Sequence, residues 1–211
     1  MPKKIKHKIY KFPYNFLIED NFLNNKNLLN IIKLKRDLYN SAIDVSTKLK
    51  NKNLSKSRKI IRFVDHNKLC MNKKSKNYSI LKNIYMSIKK KINNEFLADL
   101  QIDKKLINKG FLNLTLVWDN QGYEIKAHTD TDRKIWSGIL YLYNGTQKSG
   151  TKILKLSKNN KLSVFKSMKP KKNRLFAFKR SKKSYHSVAK SSETRFIILL
   201  NFNYKNKFYE K

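Results

Sequence analysis

Two side chains with metal-binding chemistry stand two residues apart at His128 and Asp130, in the segment AHTDTDRKIW. On an extended backbone, residues i and i+2 point to the same face, so one strand end can offer an imidazole and a carboxylate to a single ion. Such a site needs a third ligand. His186, which follows the strand-like run RLFAF and a polar turn, is the candidate. The residue types therefore indicate a site made of two imidazoles and one carboxylate.

Two imidazoles and one carboxylate on one face of an octahedral ion leave three positions open, an arrangement associated with non-haem Fe(II) oxygenases. Taken alone, His128 or His186 would more often be an ordinary hydrogen-bonded histidine than a metal ligand. The interpretation depends on the ordered set, with both histidines on predicted strands and an arginine nine residues after the second.

That arginine, Arg195, lies beyond a predicted hairpin turn at Ser191 and Ser192. A guanidinium on a strand can grip a carboxylate with two parallel hydrogen bonds, which a flexible lysine does poorly. Only seven of the 49 basic residues are Arg, and the other 42 are Lys. An arginine at this position is therefore informative, and it predicts a carboxylate ligand.

The N-terminal half contains the elements expected to support this site. The apolar cluster at residues 12–18 predicts a strand. Apolar residues at three- and four-residue spacing between 28 and 38 predict one face of a helix of about 15 residues. A second helix is predicted across 80–92, with Phe96, Leu97 and Leu100 as its extension. The Lys-, Asn- and Ser-rich segment 48–76 has weak periodicity, so we expect a loop or irregular structure there.

The C-terminal half consists of short apolar runs separated by turn residues. The runs are FLNLTLVW, SGILYLY, TKILKL, LSVF, RLFAF, HSVA and RFIILLNF, and they predict about seven strands. This pattern of short strands and turns is typical of an antiparallel sandwich or barrel, of which the jelly roll is one form. We therefore expect an α+β fold in one domain, 1–211. In it, 1–109 forms a strand and supporting helices, and 110–206 forms the jelly-roll core that carries the site.

These motifs together resemble the 2-oxoglutarate- and Fe(II)-dependent oxygenase superfamily, closest to its prolyl 4-hydroxylase-like branch. PYNFLIEDNFLN resembles that branch's opening strand and helix, and GYEIKAHTD its first ligand segment. NRLFAFKRSKKSYHSV followed by RFIILLNF resembles its last ligand and cosubstrate strands. By this resemblance His128, Asp130 and His186 are the iron ligands, and Arg195 holds the distal carboxylate of 2-oxoglutarate. Tyr141 stands where the branch often places a hydroxyl against the same carboxylate.

The resemblance also implies the fold and the activity. The fold would be a double-stranded β-helix, the family's form of the jelly roll. The protein would be an enzyme, a dioxygenase that hydroxylates a peptidyl residue or a small metabolite while 2-oxoglutarate is decarboxylated to succinate. Its cofactor would be Fe(II), with 2-oxoglutarate and O2 as cosubstrates and ascorbate as an auxiliary reductant. No catalytic residue beyond the metal ligands is assigned, and neither the substrate nor the oligomeric state follows from the sequence.

Three positions depart from the family's pattern. Trp118 stands where relatives often have Tyr, so no hydrogen bond to the cosubstrate is carried over to it. Leu199 replaces a hydroxyl residue found in some relatives. Asn201 stands where members that demethylate nucleic-acid bases usually have a second Arg, which counts against that substrate class.

A formal charge of +35 leaves a second function open. Clustered Lys and Arg gain affinity for nucleic acids by releasing counterions from phosphates, so the jelly roll could be a polyanion-binding module with a vestigial metal site. The competing interpretation is a solvated surface set by composition. Lys and Asn are abundant, Ala, Gly and Pro are scarce, and Lys is spread along the whole chain. We favour composition, and with it a small-molecule or peptide substrate.

The remaining composition limits the setting of the protein. Cys70 is the only cysteine, so the chain has no intrachain disulfide and no Cys-rich zinc site. No apolar run approaches the roughly 20 residues of a membrane span. The basic N-terminus lacks the apolar core of a signal peptide. We therefore predict an unexported, cytoplasmic protein.

Overall fold

Antiparallel strands in two facing sheets form the core of the computed structural model, which describes residues 8–45, 58–92 and 94–205. The strands are β1 (Lys8–Tyr10), β2 (Phe16–Glu19), β3 (Ile43–Asp44), β4 (Arg58–Asp65), β5 (Lys68–Leu69), β6 (Gly110–Asp119), β7 (Ile125–His128), β8 (Lys134–Tyr141), β9 (Thr151–Leu156), β10 (Leu162–Met168), β11 (Arg174–Lys179), β12 (His186–Val188) and β13 (Arg195–Tyr204). The helices are α1 (Asn25–Lys33), α2 (Lys35–Ser41), α3 (Tyr78–Lys91), α4 (Asn94–Asp99) and α5 (Lys104–Asn108), with a short 3-10 helix at Gln147–Ser149.

The larger sheet has the order β1-β2-β11-β8-β13-β6-β4-β3, with β5 paired to β4, and the smaller sheet has the order β10-β9-β12-β7. Consecutive strands often lie in different sheets, so the chain crosses repeatedly from one sheet to the other. This is the antiparallel two-sheet jelly roll expected from the sequence, and all seven predicted runs are strands within it.

The larger sheet is buried on both faces. Along β6, Val117 lies in the core between the two sheets, whereas Leu116 and Trp118 lie in the core between the larger sheet and the helices. Ile197 and Ile198 on β13 alternate in the same way. Because both faces are covered, these strands are nearly continuous apolar runs in the sequence.

Helices α1 and α3 pack on the outer face of the larger sheet. Their buried residues Ile31 and Ile84 belong to the same core cluster as Trp118 and Ile198. The apolar stripes that predicted these helices therefore face the sheet, as the 3.6-residue periodicity requires. No helix in the described ranges is long and apolar enough to cross a membrane.

Three predicted boundaries are wrong. The first strand was expected across 12–18, but Phe12 is 61% exposed and β2 begins only at Phe16. The single helix expected across 28–38 is two helices that meet at Leu34, the C-cap of α1 and the N-cap of α2. The expected extension of α3 is a separate helix, α4, because the backbone turns out of the helical conformation at Ile92, where ψ is 65°.

The segment 48–76 was predicted to be irregular, which is wrong for residues 58–69 and correct for residues 70–76, where there is no helix or strand. Residues 46–57 lie outside the described ranges, but β4 and β5 follow, and β4 pairs with β6. Phe63 and Val64 on β4 are fully buried. The strand is stabilised by its pairing with β6 and by the burial of these two side chains. Neither can be recognised from the Lys-rich sequence of the segment.

Candidate metal centre and cosubstrate pocket

The smaller sheet brings His128 and His186 together. His128 is the last residue of β7 and His186 the first of β12, and they are direct partners in the antiparallel pairing. Their ring centroids are 4.4 Å apart. Asp130 follows in the turn from β7 to β8. The potential ligand atoms of His128, Asp130 and His186 all lie within 4.8 Å of one another.

Backbone carbonyl groups fix the orientation of both imidazoles. Nδ1 of His128 lies 2.9 Å from the carbonyl oxygen of Lys126, and Nδ1 of His186 lies 3.0 Å from that of Ser184. A carbonyl oxygen only accepts hydrogen bonds, so each Nδ1 carries the proton. Each Nε2 therefore keeps its lone pair for an ion, which is the usual arrangement of metal-binding histidines.

Two side chains hold Asp130 as a carboxylate. Ser137 donates to Oδ2 at 2.5 Å, and Nζ of Lys134 lies 2.8 Å from Oδ1. Burial raises the pKa of Asp130, but the Lys134 ammonium, the neighbouring His186 and the Ser137 hydroxyl together outweigh it and lower the pKa to about 2. Asp130 is therefore deprotonated at neutral pH.

His186 is the most enclosed of the three candidate ligands, with 6% of its surface exposed. Burial is the main cause that lowers the pKa of its imidazole to about 4. The neutral imidazole and the ionised carboxylate are the forms that bind divalent metals. The three side chains therefore fit a divalent ion such as Fe(II) in their chemistry as well as in their geometry.

The centre opens to solvent on one side. The ring of Phe178, itself buried, lies 4.8 Å from that of His186 and forms a wall. His128 is only half-buried, and Thr131 and Asp132 in the following turn are exposed. A substrate can therefore approach from the side of the β7–β8 turn.

Arg195 lies deep in the fold, with 1% of its surface exposed. It points into the space between the sheets, because Ile197, two residues further along β13, lies in the core between them. Its Nη1 donates to Oδ2 of Asp119 at 3.0 Å, and its Nε has no hydrogen-bond partner in the described chain. Burial lowers the pKa of Arg195, but Asp119 more than offsets this, so the guanidinium stays charged.

Tyr141 lies in the same space but uses its hydroxyl locally. The hydroxyl donates to Oγ1 of Thr151 at 2.8 Å and lies 3.3 Å from the Thr151 backbone nitrogen. Thr151 pairs with Val188 on β12, two residues from His186, a separation of about 7 Å along the strand. Thr151 thus lies on the strand next to the one that carries His186, and Tyr141 interacts electrostatically with Arg195.

The three departures from the family's pattern occupy different positions. Trp118 packs against Phe196 on the helix-facing side of the sheet, with ring centroids 5.0 Å apart, so it cannot enter the pocket. Leu199 packs at the edge of the core between the sheets. Asn201 is the partner of Ser137 on β8, close to the residue that donates to Asp130.

Four residues near Arg195 were not identified from the sequence. Asp119 binds Arg195, Arg58 binds Asp119, and Tyr143 and Thr151 are polar neighbours of the pocket. Arg58 had a usable signal, because it is one of only seven Arg in a Lys-rich chain. Asp119 also had a usable signal, because it ends the apolar strand FLNLTLVW and a buried carboxylate needs a cationic partner.

The sequence of the jelly-roll region matches a known family. Residues 112–203 match the model of the 2OG-Fe(II) oxygenase superfamily, and this range includes all three candidate ligands and Arg195. No curated protein matches the chain significantly.

Solved structures with the same fold include prolyl hydroxylases. The prolyl-4-hydroxylase of Pseudomonas putida is 13% identical, with a TM-score of 0.59, and the alignment covers 90% of this chain and 93% of that one. A prolyl hydroxylase of Trichoplax adhaerens, in complex with a hypoxia inducible factor peptide fragment, is 16% identical with a TM-score of 0.62 and coverages of 90% and 84%. The viral collagen prolyl hydroxylase of Paramecium Bursaria Chlorella virus-1, in complex with 2OG, is 17% identical with a TM-score of 0.55 and coverages of 90% and 96%.

These findings confirm the resemblance to the superfamily and to the fold of its prolyl hydroxylase-like branch. The family confirms the prediction of a dioxygenase that uses Fe(II), 2-oxoglutarate and O2. The match to this superfamily lies in residues 112–203, the part of the chain that carries the candidate metal centre and Arg195.

Proposed function

We propose that this chain hydroxylates a peptidyl residue, as prolyl hydroxylases do, or a small metabolite. The observation that carries the proposal is the convergence of His128, Asp130 and His186, whose potential ligand atoms lie within 4.8 Å of one another. A vestigial site would not be expected to retain the Ser137 and Lys134 contacts that hold Asp130 as a carboxylate.

In this proposal Nε2 of each histidine and the carboxylate of Asp130 hold Fe(II). When bound, Fe(II) with 2-oxoglutarate and O2 supplies the oxidative chemistry, in which 2-oxoglutarate gives succinate and CO2 while a C–H bond of the substrate is hydroxylated. The protein contributes orientation and the exclusion of water. The Lys126 and Ser184 carbonyl groups fix the two imidazole rings, and Phe178 shields the inner side of the centre.

Arg195 is proposed to bind the distal carboxylate of 2-oxoglutarate. Its unpartnered Nε, buried between the sheets, is a donor that a carboxylate would satisfy. Tyr141 is proposed to line the cosubstrate site, with Thr151 holding its hydroxyl in place.

A peptidyl substrate is supported by two exposed apolar side chains at the β10 edge of the smaller sheet. Phe12 is 61% and Phe165 38% exposed, and their rings are 5.4 Å apart. Phe165 precedes Lys166, which pairs with Ile153, and Ile153 pairs on its other side with His186. One strand therefore separates this apolar surface from the metal centre.

The N-terminal helices are proposed to support the core. The buried residues of α1 and α3 cover the outer face of β6 and β13, the strands that carry Asp119 and Arg195. Their role would be to hold these strands in register rather than to contact a ligand.

The test is succinate formation by purified protein supplied with Fe(II), 2-oxoglutarate and candidate peptides or metabolites, with decarboxylation in the absence of substrate as a first assay. We expect His128→Ala and Asp130→Ala to abolish both iron binding and turnover. His66→Ala, at an exposed histidine outside the centre, is the matched control. If the wild-type protein neither binds Fe(II) nor consumes 2-oxoglutarate, the proposal is wrong.

A second candidate function, polyanion binding, is supported by one surface cleft. This cleft, with a volume of about 490 Å³, lies on the helix side of the larger sheet. Its lining residues include Lys33, Lys35, Arg36, Tyr39 and Trp118. Basic and aromatic side chains in one cleft suit a phosphate-bearing ligand.

The test is the salt dependence of binding to single- and double-stranded oligonucleotides. Removing Lys35 and Arg36 should lower the slope of log K against log salt by about 0.7 to 0.9 for each phosphate that these two side chains neutralise. Replacing Lys158 and Lys161, in the exposed turn between β9 and β10, should not. Equal effects of the two changes would assign the binding to general surface charge.

A further inference from the structure

Arg58, Asp119 and Arg195 form a charged row across three neighbouring strands. Asp119 on β6 is the direct pairing partner of Arg58 on β4 and of Arg195 on β13. Its Oδ1 lies 2.5 Å from Nε of Arg58 and its Oδ2 lies 3.0 Å from Nη1 of Arg195. One carboxylate is therefore shared by two guanidinium groups.

This row points into the space between the sheets. Val117 and Ile197, two residues from Asp119 and Arg195, lie in the core there. The side chains of Asp119 and Arg195 are 0% and 1% exposed, and that of Arg58 is 16% exposed. Charges this poorly solvated interact more strongly than charges on the surface.

The contact with Asp119 determines which edge of Arg195 remains for a ligand. Asp119 engages Nη1, whereas Nε has no partner in the described chain. The N–H groups on Nε and Nη2 are parallel and form the fork that suits a carboxylate. Asp119 thus holds the guanidinium through Nη1 and leaves Nε unpartnered, while the Tyr143 hydroxyl is a further hydrogen-bonding neighbour of Arg195.

Arg58 is itself held in place. Its guanidinium lies 4.4 Å from the ring centroid of Tyr123, a fully buried side chain, in a cation–π contact. Burial raises the pKa of the Tyr123 phenol, so this partner stays neutral. Arg58 is therefore positioned to act on Asp119 and, through it, on Arg195.

We propose that Arg58 and Asp119 are positioning residues for 2-oxoglutarate: Asp119 orients Arg195, and Arg58 offsets the charge of Asp119 so that Arg195 keeps its attraction for the distal carboxylate. The inference rests on the proposed function. Without Arg58, Asp119 and Arg195 would form a pair with no net charge, which would weaken the attraction for the incoming carboxylate. Neither residue needs to touch the cosubstrate.

The test is isothermal titration of 2-oxoglutarate into the Mn(II)-loaded protein, which reports binding without turnover. We expect Arg58→Met to weaken 2-oxoglutarate binding about tenfold, as the loss of a side chain that orients a ligand-binding group typically does. Mn(II) affinity should be unchanged. The double variant Arg58→Met/Asp119→Asn should recover most of the loss, because Arg195 then keeps its full charge beside a neutral hydrogen-bond acceptor.

If the row had only a structural role, the order of the two variants in 2-oxoglutarate affinity would be reversed. Removing both charged partners would then weaken binding as much as Arg58→Met or more. Arg62→Met, at the half-exposed arginine on the same strand, is the matched control and should leave the Kd unchanged. Should Arg58→Met fail to fold, Arg58→Gln with and without Asp119→Asn carries the same comparison.

Two results overturn this inference: an unchanged Kd in Arg58→Met, or a double variant that binds no better than Arg58→Met. Both leave the proposed function intact, provided that the wild-type protein binds 2-oxoglutarate. Failure of the wild-type Mn(II) protein to bind 2-oxoglutarate at all would instead overturn the proposed function.

Discussion

Replacing Arg195 with Met should separate cosubstrate binding from metal binding. A fork to the distal carboxylate would consist of two charge-assisted hydrogen bonds, each contributing about 1.5 to 3 kcal/mol. Their loss should weaken 2-oxoglutarate binding by at least about a hundredfold, since each 1.4 kcal/mol is a factor of ten. Metal affinity should survive, because Arg195 contacts none of the three candidate ligands directly. Arg195→Lys should recover only part of the loss, since an ammonium lacks the planar fork.

The measurement is anaerobic titration of 2-oxoglutarate into the Fe(II) protein, followed through the metal-to-ligand charge-transfer absorption. Arg195 is almost fully buried and paired with Asp119, so removing it also destabilises the fold, by about 3 to 5 kcal/mol for a typical buried pair. Thermal unfolding of each variant is therefore the necessary control, and Arg195→Lys, which keeps the charge, is the milder change. An unchanged 2-oxoglutarate affinity in a folded Arg195→Met protein would refute the assignment of Arg195.

Three further predictions test other parts of the structure. Ser137→Ala removes the 2.5 Å hydrogen bond to Asp130 and should weaken metal binding about tenfold in a metal titration, whereas Ser163→Ala on an exposed strand position should not. The metal-free protein should lose up to about 3 kcal/mol of stability as the pH falls from about 6.5 to 4. In that pH range His186 takes up a proton in the unfolded state but not in the folded state, where its pKa is about 4. The free energy of unfolding of His186→Gln, measured with urea, should therefore depend less on pH. Ile84→Ala should cost about 2 to 5 kcal/mol in the same assay, because Ile84 is fully buried between α3 and the larger sheet, and a loss below 1 kcal/mol would contradict the supporting role of the helices.

The elements that could be predicted from the sequence are those whose signal is local. The apolar runs of β6 and β13 and the stripes of α1 and α3 report burial directly, so their existence and type were correct. The break at Leu34 and the strand β4 were not predicted. No Gly or Pro marks the boundary between α1 and α2 at Leu34, and β4 depends on pairing with β6 for its hydrogen bonds.

In the candidate site too, some features have a local sequence signal and others depend on long-range strand pairing. The residue types of His128, Asp130 and His186, together with the scarcity of arginine around Arg195, were enough to indicate a chemistry of Fe(II) and a carboxylate ligand. The charged row was not predicted because Arg58, Asp119 and Arg195 lie far apart along the chain and meet only through strand pairing. Tyr141 was placed in the pocket by resemblance alone, and its hydrogen bond to Thr151 became visible only in the fold.

The sequence by itself determined which chemical groups are present and which segments alternate between buried and exposed faces, because both are properties of neighbouring residues. Only the tertiary structure decided which groups meet. The register of β7 against β12 sets the two imidazoles 4.4 Å apart, and the register of β4, β6 and β13 places one carboxylate between two guanidinium groups. A shift of one residue in either register would turn these side chains to the opposite face, so the site depends on long-range pairing that no local pattern encodes.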